Sequence, residues 1–384
     1  MNFPIEKFRN QNTPFYYYDT ELLATTLSTI KKLIGGHPNY HVHYAIKANA
    51  NPEILKQIAA QGFGADCVSG GEIRAAINAG FPADKIVFAG VGKSDSEITL
   101  GIGQGILCFN VESIPELEVI NEIAGKLGKT ARVAFRINPN VDAHTNAKIT
   151  TGLNENKFGI AMEDMEDAIR LAEAMDSVSY VGLHFHIGSQ ITSTAPFVAL
   201  CNRINELQDK LEADGITTQS INVGGGLGID YDNPDENPVP DFKSYFETFS
   251  QHLKLRSGQQ LHFELGRSVV GQCGTLIAHA LYVKQGHAKK FLILDAGFTE
   301  LIRPAMYGSH HAIQNISSHE KATDLYDVVG PICESSDVFD KDVTLPVSHR
   351  GDFIALRSAG AYGEVMASTY NCRQLPKSFF SNKM

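Results

Sequence analysis

From about residue 41 to residue 265, short runs rich in β-branched and aromatic residues alternate with stretches whose apolar positions recur every three or four residues. The runs are His41–Lys47, Gly64–Ser69, Lys85–Gly90, Ile106–Val111, Arg132–Ile137, Tyr180–Ile187, Ser220–Gly225 and Gln260–Leu265. Each of the first seven precedes an amphipathic stretch. Eight such units predict an α/β fold, a (β/α)8 barrel with a parallel sheet closed on itself.

Local signals mark several of the helices. Asn51 is a suitable N-cap, Pro52 suits the first helical position, Ile54, Leu55 and Ile58 supply an apolar face, and Gly62 stops the element. Glu112–Lys126 and Met162–Met175 repeat the pattern. The glycines at 101, 103 and 105 precede a strand, so they lack the setting of a dinucleotide-binding loop and read as a turn. Beyond Gly266 the rhythm changes to strand-like runs without helices between them: Val269–Tyr282, Phe291–Asp295, Tyr326–Gly330 and Asp352–Ser358. This predicts an antiparallel β domain, joined by the FYYYD segment Phe15–Asp19. The expected division is a barrel at 20–265 and a β domain made of 1–19 plus 266–384.

Composition adds limits more than identity. A formal net charge of −10 and the absence of a basic stripe argue against nucleic acid and anionic membranes as partners. No apolar run of about 18 residues is present, and the N-terminus is polar, so a cytoplasmic location is expected. Six scattered cysteines without a C-x-x-C pair fit neither a disulfide framework nor a zinc site, and most read as small buried residues. His310-His311 lacks the i, i+4 spacing of a helical metal pair, and His184 and His186 have no paired carboxylates nearby in sequence, so no metal is expected.

In a barrel, side chains at strand C-termini converge on one mouth, and this chain loads that mouth with Lys47, Asp66, Arg136, His184, His186, Gly224 to Gly226 and Glu264. A partly desolvated Lys47 amine would be nucleophilic, although a lysine snorkelling at a strand end is the plainer alternative. The triple glycine would let backbone N–H groups approach an anion, or simply form a tight turn. His186 offers a ring to stack on a flat cofactor, or is a buried hydrogen-bonded histidine. Glu264 ends an apolar strand and is costly to bury without a cationic partner.

YAIKAN (44–49), HIGSQ (186–190), GGGLGI (224–229), ELGRSVV (264–270), LIRPAMY (301–307), GPICESSD (330–337), GAYG (360–363) and YNCR (370–373) occur in that order. Together they resemble the motif series of the diaminopimelate decarboxylase family, among the fold-type III pyridoxal-phosphate enzymes that also include ornithine decarboxylase and alanine racemase. The resemblance implies pyridoxal 5'-phosphate as cofactor, held as a Schiff base by Lys47. It also implies His186 against the pyridine ring and Glu264 at the ring nitrogen, with Asp66 as a further cofactor contact. Ser189, Gly225, Gly226, Gly266, Arg267 and Tyr362 would bind the phosphate end. Arg267, Arg303, Tyr307, Glu334 and Tyr362 would contact substrate, and Cys333 would be the acid near the reacting carbon. Leu265, Phe298-Thr299-Glu300 and a short tail after Arg373 depart from the family pattern.

The implied reaction is decarboxylation of meso-2,6-diaminopimelate to L-lysine and CO2. An acidic partner at the ring nitrogen favours decarboxylation over racemisation, and two arginines disfavour ornithine, which lacks a distal carboxylate. A decarboxylase of a polyamine precursor such as carboxynorspermidine is the nearest rival, and a non-catalytic pyridoxal-phosphate carrier the next. The family also implies a homodimer, with the Cys333–Glu334 segment of one subunit completing the barrel mouth of the other.

Overall fold

A computed structural model describes residues 3–141 and 157–384. After β1 (Phe15–Tyr18), eight parallel strands close into a barrel. They are β2 (Tyr40–Ala45), β3 (Gly64–Cys67), β4 (Ile86–Phe88), β5 (Cys108–Val111), β6 (Ala131–Arg136), β7 (Val178–His184), β8 (Ser220–Asn222) and β9 (Gln260–Leu265). Pairing of Tyr40 through Tyr44 with Leu261 through Leu265 seals the ring. A helix lies between each consecutive pair of strands, as the alternation predicts.

Strand parity decides what the barrel encloses. Phe263 packs on Tyr245, Phe246 and Phe249 of the helix Phe242–His252, so the odd positions of β9 face outward. With a side-chain period of two, Gln260, His262 and Glu264 point inward. Helix starts follow their caps. Asn51 accepts from the Glu53 N–H at 3.1 Å ahead of Pro52–Ala59, and Ser94 and Glu97 form a capping box ahead of Asp95–Gln104. That second helix corrects the reading of the 101–105 glycines as a turn. Gly101 and Gly103 lie inside it, and only Gly105, at φ +68, ends it. Gly101 is there for packing, since a Cβ would lie 2.7 Å from Cζ of Phe109.

Six of the barrel strands end earlier than the apolar pattern predicts, β2, β7 and β8 among them. Lys47 follows β2 on a single 3-10 turn, Ile46–Ala48, while His186 and Gly224 to Gly226 lie in loops past β7 and β8. The apolar alternation runs on because the loop residues Phe185, Ile187 and Val223 are fully buried without belonging to the ladder.

The chain divides into two compact units, one of residues 27–228 and 241–266, the other of 1–26, 229–240 and 267–384. The segment 229–240 groups with the second unit through Gln272, whose Nε2 donates to the carbonyls of Asp230 and Asn237, and through Arg357, which pairs with Asp235 at 2.8 Å.

The second unit contains β1, β10 (Gly274–Gln285), β11 (Lys290–Leu294), β12 (Ile313–Asn315), β13 (Thr323–Val329), β14 (Val338–Pro346), β15 (Phe353–Leu356) and β16 (Lys377–Phe380). The main path runs β12-β15-β10-β11-β13-β14, and β1 lies between β10 and β16. Phe15 to Tyr18 thus pair in this sheet. The sheet is mostly antiparallel, but β1 with β16 and β11 with β13 run parallel, which the sequence did not reveal. The expected strand from Val269 is also corrected: Arg267–Val270 forms a helical turn and β10 begins at Gly274. Gly271 allows the close approach, because its Cβ would lie 2.7 Å from Cδ1 of Ile229.

Candidate active site

At the C-terminal ends of the barrel strands, three inward side chains bind one carboxylate. Glu264 Oε2 accepts from Nε2 of His184 at 2.9 Å, and Oε1 accepts from Nδ2 of Asn110 at 3.1 Å and of Asn222 at 2.7 Å. Burial pushes the Glu264 carboxyl up, but the pull of His184, with that of Lys47, outweighs it and holds the group well below the ordinary carboxylate range. The carboxylate is therefore ionised inside the barrel.

Lys47 Nζ lies 3.4 Å from Oδ2 of Asp66, and the two differ in access: the lysine side chain is 40% exposed and that of the aspartate 1%. Burial, then the negative charge of Glu264, raises the Asp66 carboxyl to about 6 against the opposing charge of Lys47. Its second oxygen, Oδ1, is buried without a partner. His186 is neutral, since burial and then the positive charges of Arg136 and Lys47 keep its pKa well below the ordinary value. The Gly225 N–H donates to its Nδ1 at 3.3 Å, which orients the ring.

The loops after β7 and β8 run side by side, with the Ile191 N–H donating to the Gly226 carbonyl and the Gly228 N–H to that of Ile191, both at 2.9 Å. Ser189, Gly225 and Gly226 are thereby brought together, and the glycines have a packing reason of their own. A Cβ at Gly225 would lie 2.0 Å from the Glu264 carbonyl, and one at Gly224 2.3 Å from that of Phe185. The Gly224 N–H is taken by Oδ1 of Asn222. Gly266 is buried directly after β9. An accessible amine, an ionised acid, a neutral ring, a cradle without side chains and an orphaned acidic oxygen fit pyridoxal 5'-phosphate in its donor chemistry.

In the other unit, Arg267 and Arg303 share two tyrosines. Arg267 donates to the Tyr231 hydroxyl at 2.6 Å, and its guanidinium lies 5.0 Å from the Tyr362 ring. Arg303 opens the helix Arg303–Tyr307, lies 5.5 Å from the Tyr231 ring and 6.0 Å from that of Tyr362, and donates to Ser309 Oγ at 3.0 Å. It is 5% exposed, its Nε is unpartnered, and it forms no ion pair with any described residue. Burial, together with the like charge of Arg267, lowers its pKa. Tyr307 ends that helix.

Cys333 and Glu334 lie on a different loop of this unit. Buried Asp337 pins it by accepting the N–H groups of Ile332 and Phe298, each at 2.7 Å. Both residues are exposed and turn to 370–371: the Cys333 N–H donates to Asn371 Oδ1, and the Tyr370 hydroxyl donates to Glu334 at 2.8 Å. Cys67, Cys108, Cys201 and Cys273 are buried, whereas Cys333 and Cys372 are exposed.

Sequence reasoning missed Asn110, Asn222 and Tyr231, and placed His184 in the mouth without giving it a role toward Glu264. Strand parity carried the signal for the asparagines, since Asp66, Asn110, Asn222 and Glu264 all fall on inward positions. Nothing local marks Tyr231, which sits in the 229–240 segment. Glu264 was expected to need a cationic cofactor atom for its burial, but its partners come first from the chain itself.

A sequence profile of the family described as "Pyridoxal-dependent decarboxylase, pyridoxal binding domain" matches residues 22–271. Diaminopimelate decarboxylase of Bacteroides thetaiotaomicron is 65% identical over 382 residues, covering 100% of this chain and 99% of that protein. The enzyme of the same name from Neisseria meningitidis serogroup B is 43% identical over 94% of this chain and 86% of its own length. The crystal structure of diaminopimelate decarboxylase from Helicobacter pylori complexed with L-lysine superposes with a TM-score of 0.91 at 40% identity, covering 98% of this chain and 93% of that one. Lysine/ornithine decarboxylase of Vibrio vulnificus shares the fold with a TM-score of 0.85 at 21% identity. With the pyridoxal-binding profile matching most of the barrel and relatives matching the chain from end to end, this chain belongs to the diaminopimelate decarboxylase family of pyridoxal-phosphate-dependent decarboxylases.

Proposed function

We propose that this protein converts meso-2,6-diaminopimelate to L-lysine and CO2, the last step of lysine biosynthesis, with pyridoxal 5'-phosphate as cofactor. The observation that carries the reading is Glu264, ionised and held by three donors in the same barrel mouth as the accessible Lys47 amine. Bound pyridoxal 5'-phosphate supplies an electron sink for the pair released as the carboxylate leaves.

The chain's own groups divide the remaining work. Lys47 Nζ provides the amine that anchors the cofactor, and Asp66 holds that amine. Glu264 keeps a proton on the cofactor's ring nitrogen, which strengthens the sink. Neutral His186 offers a flat face that competes for no negative charge. Ser189, Gly225, Gly226, Gly266, Arg267 and Tyr362 receive the phosphate end. Arg267 and Arg303 bind substrate carboxylate through their guanidinium forks, with Tyr307 and Tyr362 beside them and Glu334 for the distal ammonium. Cys333 Sγ delivers the proton to the α-carbon.

The exposed Cys333–Glu334 loop supports a homodimer in which it completes the partner's mouth, and a cytoplasmic location accords with the polar N-terminus and the lack of a long apolar run in the sequence. No helix among the described residues is long and apolar enough to cross a membrane.

The deciding experiment supplies pyridoxal 5'-phosphate and meso-diaminopimelate to the purified protein and measures CO2 and L-lysine. Equal amounts are expected, with none from Lys47→Ala, and absence of lysine overturns the reading. Mixing inactive Lys47→Ala and Cys333→Ala subunits should restore part of the activity, and failure to do so counts against shared sites.

A further inference from the structure

At the N-terminal ends of the strands, the end of the barrel away from Lys47, a cavity of about 830 Å³ enters the ring. Barrels of this kind are normally filled there by bulky branched side chains. Here Gly64, Cys108, Ala134 and Ser220 line the space, and their small size leaves it open. Val87, Cys108, Ala134 and Val181 form an apolar patch on its wall. The volume falls within the range of about 300–1,000 Å³ typical of small-molecule sites.

Three polar groups offer distinct recognition. Arg132, exposed at the second residue of β6, lines the cavity, and its side chain makes no hydrogen bond or ion pair with any described residue. Gln208 lines it too, and although only 3% exposed its Oε1 has no donor. The third is a histidine chain whose tautomers follow from the partners. His43 Nδ1 meets the Lys85 carbonyl at 3.0 Å and must donate. Burial lowers the His43 pKa to about 4, so the ring is neutral and its Nε2 accepts from Nδ1 of His262 at 2.8 Å. Burial keeps His262 neutral as well, which leaves its Nε2 as an open acceptor. At the inner end stand Asn110 and Asn222, the two amides that hold Oε1 of Glu264.

We propose that this cavity is a second ligand site for a small amphipathic anion, with an anionic group for Arg132, an apolar body for the Val87–Ala134 wall, and an N–H or O–H donor for His262 and Gln208. Through Asn110 and Asn222 its occupant bears on Glu264.

The test uses 8-anilinonaphthalene-1-sulfonate, which carries a sulfonate, an aromatic body and one N–H donor, added to the holoenzyme. Saturable fluorescence at one probe per chain is expected, not displaced by L-lysine, about tenfold weaker in Arg132→Glu and lost in Ala134→Leu, which fills the space. No saturable binding, displacement by L-lysine, or binding unchanged in Arg132→Glu overturns the site; that exposed substitution keeps the test decisive if Ala134→Leu does not fold. Saturating probe should also lower kcat severalfold in the parent enzyme and not in Arg132→Glu at the same concentration, and an unchanged kcat overturns the link to Glu264. Only this last measurement rests on the decarboxylase reading, so loss of activity and loss of the site are told apart by fluorescence.

Discussion

Glu264 and Arg303 are both buried ionic groups, and the chain treats them in opposite ways. Glu264 receives three hydrogen bonds, each from a different barrel strand. Arg303 has one hydroxyl partner, two tyrosine rings, a like-charged neighbour and an orphaned Nε. Leaving a buried charge without a partner costs about 3–5 kcal/mol. The carboxylate's state is therefore settled before any ligand arrives, whereas the arginine is built to gain when an anion does. Under the proposed function, preorganisation suits the group that would tune the cofactor, and an unmet charge suits the group that would select substrate.

Breaking the satisfied side should have the largest effect. Glu264→Gln keeps the volume and removes the charge, and kcat is expected to fall about 10²–10³-fold with cofactor still bound; an unchanged kcat would remove Glu264 from the chemistry. On the unmet side, Arg303→Lys loses the planar fork, so KM for diaminopimelate should rise about 10–100-fold with a smaller change in kcat. Equal losses in both parameters would instead place Arg303 in transition-state binding.

Asp66 sharpens the contrast from within the barrel mouth, because it is buried with a single weak partner. Burial and Glu264 raise its folded pKa from 3.8 to about 6. A raised carboxyl contributes stability that is full below the unfolded value and lost as pH rises through about 6. In the cofactor-free protein, Asp66→Asn should therefore be more stable than the parent at about pH 7.5, on the order of 2–3 kcal/mol by urea unfolding, with the gain vanishing below about pH 4. A gain that is the same at both pH values would refute a titrating Asp66. The smallest expected change is Tyr231→Phe, which removes one hydrogen bond to Arg267 and should raise KM by the equivalent of about 0.5–1.5 kcal/mol.

Much of the fold was legible because a barrel strand carries its own signature. Gln260–Leu265 was bounded correctly because its apolar positions face a helix and its polar ones the barrel interior. Where the ladder stops was not legible, since Phe185 and Ile187 stay buried past the end of β7. The 101–105 glycines were misread because glycine inside a helix is locally unfavourable, and only the nearby Phe109 ring explains Gly101. In the site, Lys47, His186 and Glu264 stood out as reactive types at strand ends. Asn110 and Asn222 did not, because an isolated asparagine inside a strand has no chemistry until its partner is known.

The sequence by itself determined the alternation that makes the barrel, the change of rhythm past Gly266, and the residue types of the mouth, because those depend on short-range periodicity and side-chain chemistry. Only the tertiary structure decided that Glu264 is ionised by three neighbours, that Tyr231 joins Arg267 and Arg303, and that small residues on four different strands leave the far end of the barrel open. Each of these is a meeting of residues tens to hundreds of positions apart, and distance along the chain carries no record of which inward side chains will share a partner.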